Sequence, residues 1–345
     1  MVRVDLLESG GRNSLLDVPI HQLENKTIMI TGASGIIGTH FLYALNSIQR
    51  ELGIRVKVIA IVNRGIPEHL AVLSNDNSLE FLVGDLALES FVCNLPTADL
   101  IIHAATYGQP GMFLEHPEIT VKLNTYVTLA LFERVLTHNG KFLFVSTSEI
   151  YSGLSNPPFY EMQIGTSTPS HPRACYIEAK RCGEAIVNIY RKKGYNAKSA
   201  RLSLAYGPGT RSGDRRVLNN FIEKALVEKE IRLLDKGDAK RTYCYVSDAV
   251  HMMWRILLEG KECVYNVAGC STVTIAELAH LVGKISGVNV IFPDKDADGI
   301  PGAPEDVRLD ISRYSSEFGT RNFIDLEKGL KNTIDWQRSL YLENE

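Results

Sequence analysis

The sequence predicts an α/β protein: a doubly wound parallel sheet, with a smaller α/β unit formed by the C-terminal part. Short apolar, β-branched runs alternate with segments of helical periodicity from residue 27 to 145. A glycine-rich turn, Thr31-Gly32-Ala33-Ser34-Gly35-Ile36-Ile37-Gly38, separates the first strand from the first helix. Beyond residue 206 the elements shorten and the loops become more charged.

The chain has 345 residues, 45% hydrophobic and 22% charged, an ordinary soluble composition with length for two units. The expected division is a polar lead-in at 1–25, a main unit at 26–205 and a second unit at 206–345, with segments interleaved. A net charge of −3 without a basic stripe argues against nucleic acid as a partner. Six cysteines without a C-x-x-C pair predict reduced thiols and a cytoplasmic location, with neither a disulfide framework nor a metal site. No apolar leader opens the chain, and no run approaches the ~20 residues of a membrane span, so no membrane partner is expected.

The first strand is Thr27-Ile28-Met29-Ile30, and Ile36, Ile37, Phe41, Ala44 and Leu45 mark the helix that follows. In the turn between them Gly32 permits a tight bend, Gly35 admits a pyrophosphate and Gly38 lets helix and strand pack closely. The helix start then faces phosphate with free N–H groups, which makes this a dinucleotide site of the Rossmann kind. Its spacing is G-x-x-G-x-x-G. A second strand, 56–62, ends at Asn63-Arg64-Gly65, where an acidic residue would bond the ribose 2′-hydroxyl and select NAD. Asn63 can still bond a hydroxyl, and Arg64 suits a 2′-phosphate or is a solvated charge, so this position leaves NAD and NADP open.

The third strand, 79–83, runs into Gly84-Asp85-Leu86, and the fourth, 100–102, into His103-Ala104-Ala105. Small residues at these strand ends leave room for a ligand. His103 is expected to be a packed, hydrogen-bonded histidine. One long helix is predicted from Pro117 to Leu136, then a fifth strand at 141–145 that delivers Ser146-Thr147-Ser148-Glu149-Ile150-Tyr151 to its carboxyl end. A polar loop, 152–173, leads to an amphipathic helix at 176–191. Tyr176 and Lys180 share one face of it, so a lysine ammonium is expected to lower the phenol's pKa and prepare a base.

A sixth strand is predicted at 197–204, then the loop Ala205-Tyr206-Gly207-Pro208-Gly209. Helices follow at 217–226 and 246–258, separated by a charged loop at 238–242. The remaining elements are strands at 264–267 and 288–292, a helix at 275–286 capped by Thr274, and a last helix at 326–336.

These motifs together resemble the extended short-chain dehydrogenase/reductase superfamily over residues 26–340: T-G-A-S-G-I-I-G, G-D-L, H-A-A, S-T-S-E-I-Y, Y-x-x-x-K, Y-G-P-G, and Arg241 with Val246-Ser247-Asp248. Within it, Ser146–Tyr151, Arg173-Ala174-Cys175-Tyr176-Ile177-Glu178-Ala179-Lys180-Arg181 and Asp214–Ile222 are most similar to the UDP-glucuronate decarboxylases. The resemblance implies an NAD-dependent enzyme that oxidises C4 of a nucleotide-linked sugar, most simply a UDP-sugar. Decarboxylation is the leading reaction, with 4-epimerisation and 4,6-dehydration as alternatives and a catalytically silent NAD(P)-binding regulator as a reading of another class.

It implies Tyr176 as C4 base, Lys180 on the nicotinamide ribose, Thr147 on the C4 oxygen, and Glu149 with Arg241 around the C5 substituent. Cofactor contacts would come from Gly32, Gly35, Ile36, Ile37, Gly38, Asn63, Arg64, Asp85, Leu86, Ala104, Ala105, Tyr176 and Lys180. Substrate contacts would come from Ser148, Val217, Asn220, Arg241 and Arg308. It also implies a homodimer through the helices near 117–136 and 176–191. The chain departs from the decarboxylase pattern at four points, one being Ser152, which stands after Tyr151 where glycine is usual. Gln109-Pro110-Gly111-Met112-Phe113 replaces a P-P-N-Y-like segment, Leu204 replaces an asparagine, and Asn63 replaces the acidic cofactor residue. Ser148 stands where the dehydratases carry an aspartic acid.

Overall fold

A computed structural model describes residues 2–135, 140–293 and 305–341. Helix α1 (Val4–Asn13) precedes strand β1 (Lys26–Thr31), whose apolar interior sinks into the core. Helix α2 (Ile36–Leu52) ends at Gly53 in the left-handed region (φ 68°), a residue without a Cβ to strain the turn. There follow β2 (Val56–Val62), α3 (Glu68–Ala71), β3 (Leu79–Val83), α4 (Glu89–Val92) and β4 (Leu100–His103). Three helices come next, α5 (Pro110–Glu115), α6 (Pro117–Asn124) and α7 (Tyr126–Phe132), and then β5 (Lys141–Thr147), a 3-10 turn at Ser148–Tyr151, α8 (Ala174–Lys192) and β6 (Asn196–Leu202).

The chain then builds a second lobe from β7 (Leu204–Tyr206), α9 (Val217–Val227), β8 (Glu230–Arg232) and β9 (Lys240–Tyr245). Helix α10 (Val246–Glu259) and β10 (Val264–Val267) return to the first lobe. The remainder is β11 (Ser271–Thr274), α11 (Ile275–Ser286), β12 (Asn289–Ile291), β13 (Asp306–Val307), α12 (Ser312–Phe318) and α13 (Leu326–Tyr341).

The main sheet has seven strands in the order β10-β6-β5-β4-β1-β2-β3, every pairing parallel. Winding reverses between β1 and β4, so a crevice opens at their carboxyl ends, beside Gly32 and Ala104. Its faces are filled by apolar residues such as Ile28, Phe41 and Trp254 on one side and Ile59, Phe132 and Phe142 on the other. In the second lobe β9 pairs with β7, β11 and β13, and a separate core gathers around Leu218, Ile222, Leu278 and Leu330. Among the described residues no helix is long and apolar enough to cross a membrane, and no cluster of three His, Cys, Asp or Glu residues is arranged to hold a metal.

Several elements differ from the sequence expectation. The polar lead-in contains α1, which crosses α2 at Gly10-Gly11 with Leu7 fully buried. A Cβ on Gly11 would lie 2.7 Å from the Tyr43 carbonyl carbon, so only glycine allows this approach. The single helix expected at 117–136 is two: it breaks at Thr125 (φ −116°, ψ −80°), whose hydroxyl bonds back to the Val121 carbonyl at 2.8 Å. The second piece ends at Phe132, and its expected terminus at Leu136 lies outside the described residues. The strand expected at 197–204 stops at Leu202, because Leu204 leaves the main sheet to pair with Tyr243. The charged loop at 238–242 is in part β9, which opens with Lys240-Arg241 but buries Thr242 to Tyr245. The last helix runs on to Tyr341.

Candidate active site

The glycine turn lies across the crevice of the main sheet. Gly32 has φ 67°, and a Cβ there would meet the Ala104 carbonyl oxygen at 2.7 Å. A Cβ on Gly38 would meet Gly32 and Ala33 backbone within 2.6 Å, whereas Gly35 has only the Gly32 oxygen within 4 Å, at 3.2 Å. Gly35 therefore borders open space at the start of α2, where no side chain caps the helix. This cradle fits a dinucleotide diphosphate held by backbone N–H groups. Ile36, Ile37, Ala104 and Ala105 surround it, and Asn63 and Arg64 stand exposed after β2. Asp85 closes a local turn by accepting the Ala87 N–H at 2.9 Å, next to buried Leu86. His103 is fully packed, bonded through Nδ1 to Thr31 Oγ1 (2.7 Å) and through Nε2 to the Leu123 carbonyl (2.9 Å). Burial first, against its carbonyl bond, brings its pKa down to about 3, so it stays neutral.

The strand end after β5 and the first turn of α8 bring Thr147, Glu149, Tyr176 and Lys180 together. The Thr147 hydroxyl stands beside the Tyr176 phenol and lowers its pKa, and Thr147 Oγ1 accepts the Glu149 N–H at 3.2 Å. Glu149 Oε1 pairs with Arg173 Nη2 at 2.8 Å, both side chains being largely buried. Burial raises the Glu149 pKa despite the guanidiniums of Arg173 and Arg241, which both bear on it. Phe113, from the replaced segment and now in α5, stacks on the Tyr176 ring with centroids 4.6 Å apart and planes 3° from parallel. Arg173 in turn covers the Phe113 ring at 5.5 Å.

One expectation is corrected here. Tyr176 is not an acidified phenol in this state: burial pushes its pKa up to about 12, Thr147 opposes this and Glu149 adds to it. Burial also brings the Lys180 pKa down to about 7. Its Nζ lies 5.9 Å from the Tyr176 ring centroid and donates to the Val145 carbonyl at 2.6 Å.

The predicted substrate residues divide. Ser148 and Glu149 line a small pocket with Asp306 and Val307, and Arg241 faces Glu149. Val217 and Asn220 sit on the first turns of α9, Val217 exposed and Asn220 half-buried. Arg308 lies at the rim, ion-paired to Asp306 at 2.8 Å with its side chain 37% exposed. The structure adds residues to which no role was given. Arg173 is buried, with an Nε that has no partner. Arg216 acts on both Tyr176 and Tyr243. Arg173 was signalled by its place three residues before Tyr176.

A family model described as the NAD dependent epimerase/dehydratase family matches residues 28–268. The chain is 28% identical over 312 residues to UDP-glucuronic acid decarboxylase 6 of Arabidopsis thaliana, covering 89% of this chain and 87% of that one. It is 27% identical over 322 residues to UDP-glucuronic acid decarboxylase 1 of Xenopus tropicalis, covering 92% and 74%. Among solved structures it resembles a UDP-glucose 4-epimerase of Thermotoga maritima, with TM-score 0.76, 23% identity and coverage of 91% and 99%. It also resembles a dTDP-glucose 4,6-dehydratase of Streptomyces venezuelae, with TM-score 0.76, 22% identity and coverage of 92% and 100%. These two likenesses carry the fold.

Proposed function

The chain belongs to the NAD dependent epimerase/dehydratase family, and from that premise we propose that it decarboxylates a nucleotide-linked sugar acid of the UDP-glucuronate type. One observation carries the reading: the guanidiniums of Arg173, Arg241 and Arg216 gather around the Tyr176–Thr147 pair, with Arg173 ion-paired to Glu149 and Arg216 to Asp214. Arginines grouped at one site suit a substrate that brings a carboxylate and a diphosphate. The unpartnered Nε of buried Arg173 is a donor waiting for such an acceptor.

The chemistry follows from these positions. NAD, which the Gly32–Gly38 turn and the Ala104-Ala105 strand end would hold, would supply a hydride acceptor and donor for C4. Tyr176 takes the C4 hydroxyl proton while Thr147 bonds the same oxygen. The resulting ketone lies β to the C5 carboxylate. The C5–carboxylate bond then breaks, carbon dioxide leaves, and the electron pair moves into an enolate centred on the C4 oxygen. Hydrogen bonds from Tyr176 and Thr147 stabilise that charge where it develops. Glu149, whose pKa burial has raised, is placed to return a proton to C5. Ser148 has no carboxyl to protonate a departing C6 hydroxyl, which disfavours dehydration.

The test is mass spectrometry of UDP-glucuronate incubated with the protein and NAD. The expected product is lighter by carbon dioxide, with its rate reduced at least ~100-fold in Tyr176→Phe. An unchanged mass with inverted C4 stereochemistry by proton NMR would replace decarboxylation with epimerisation. Loss of water from a neutral hexose would replace it with dehydration.

By the same reading the protein works as a homodimer. Helices α6 and α8 pack side by side and leave Val121 and Ile189 exposed, with Leu129 exposed on the adjoining α7.

A further inference from the structure

We propose that Phe113 is a positioning residue for Tyr176: its ring fixes the plane of the phenol and, through Arg173, links the seat of that phenol to the Glu149 carboxylate. The inference rests on the reading of Tyr176 as the base and adds the residue that holds it in place. Phe113 comes from Gln109–Phe113, a segment in which the chain departs from the decarboxylase pattern. In the structure this segment opens α5 at Pro110, and the Phe113 N–H donates to the Gln109 carbonyl at 3.1 Å. The Phe113 side chain is buried, yet among the described residues neither it nor Tyr176 joins the apolar cores of the two lobes. The two rings lie against each other instead, with centroids 4.6 Å apart and planes 3° from parallel. A tyrosine ring turns about only two side-chain torsions, and a parallel neighbour over one face stops it from swinging about its own axis. The backbone repeats the connection: Cys175 Sγ donates to the Phe113 carbonyl at 3.5 Å, one residue before Tyr176. The start of α8 is thus held to α5 by ring and carbonyl together.

The same ring meets Arg173. The guanidinium carbon is 5.5 Å from the Phe113 centroid, a cation–π distance, while Nη2 pairs with Glu149 Oε1 at 2.8 Å. Phe113 therefore touches both the base and the arginine that holds Glu149, so a shift of this one ring is felt at both. The stack also keeps water from one face of the phenol. Burial is the first cause of the raised Tyr176 pKa, about 12. The charges acting on the phenol come from three other segments: Glu149 after β5 raises its pKa, and Arg173 before α8 and Arg216 before α9 lower it. On α8 itself, Lys180 Nζ is 5.9 Å from the ring. Loss of the Phe113 ring admits water to the covered face and moves the phenol down towards its ordinary value.

NMR of the full chain with isotope-labelled tyrosine tests this without any substrate, the Tyr176 signals being those lost in Tyr176→Phe. In the wild type the Tyr176 ring signals are expected upfield, shifted by the ring current of Phe113, and the phenol is expected to stay protonated to about pH 11. Phe113→Met keeps the volume without the ring, and is expected to abolish the upfield shift and bring ionisation nearer to about pH 10. With UDP-glucuronate as substrate, Phe113→Met is expected to lower kcat about tenfold or more while KM moves less than about threefold, and Phe113→Tyr, which keeps a ring, to restore kcat to within about threefold. A wild-type Tyr176 signal at the position of an unstacked tyrosine overturns the proposal without any variant. So does a folded Phe113→Met whose Tyr176 signals and kcat match the wild type, or one in which KM alone rises. A wild type that shows the stacked signal but leaves UDP-glucuronate unchanged overturns the decarboxylase reading and upholds the placement of Tyr176 by Phe113.

Discussion

Lys180 pairs a buried amine with a helix face that also carries the proposed base. Its pKa of about 7 lies below the ordinary 10.5, since burial disfavours the charged form. The native state therefore releases this proton before the unfolded chain does. Below pH ~7 both states hold the proton and the cost of burying charge is fully present. As pH rises from about 7 towards 10.5, the native state alone is neutral and stability rises. Urea unfolding of wild type and Lys180→Met at pH 7 and pH 9.5 checks this: the wild type gains relative to the variant at the higher pH. A difference that does not change with pH would show that Lys180 titrates as an ordinary lysine. Tyr176 and Lys180 were legible in the sequence, because a four-residue spacing on a helix is a local fact. Their pKa values were not, because burial depends on strands and helices far along the chain. The Glu149–Arg173 pair and the Phe113–Tyr176 stack escaped for the same reason: each joins segments that meet only after folding.

Among the elements, those with a clean period were legible and those with mixed chemistry were not. The four strands nearest the cofactor groove, β1, β2, β4 and β5, announce themselves as apolar runs, since both faces of their sheet are covered. Strand β9 hid behind Lys240-Arg241, and α1 behind its glycines and charges. The glycines are what allow α1 to dock. A side chain at Gly11 would meet Tyr43 backbone, which cannot yield as a side chain can. Gly11→Val is therefore expected to cost about 1–3 kcal/mol by overpacking. Thermal denaturation checks it, and a melting temperature equal to wild type would mean that α1 contributes nothing to the native state. The break at Thr125 was invisible to periodicity, which continues across it. The break lies in the Thr125 backbone angles, which leave the helical range while its hydroxyl bonds the carbonyl one turn back.

For the whole molecule, the exposed apolar residues of α6, α7 and α8 are expected to form the dimer contact. Leu129→Asp with Ile189→Asp should convert a species of twice the chain mass into a monomer in sedimentation equilibrium. A wild-type monomer at micromolar concentration, or a variant that remains dimeric, would place the contact elsewhere or remove it. The shortening of the elements after residue 206 is visible in the sequence, but the return of the chain to its first sheet is not. That return has a consequence for synthesis. Strand β10 completes the main sheet beside β6, yet β7, α9, β8, β9 and α10 lie between them in the chain. On the ribosome the N-terminal lobe is made first and waits with the β6 edge unpaired until residues 264–267 emerge. An open edge of this kind recruits other strands. The second lobe is therefore an obligatory interval during nascent-chain folding, and chains arrested between residues 203 and 264 should need a holdase to remain soluble.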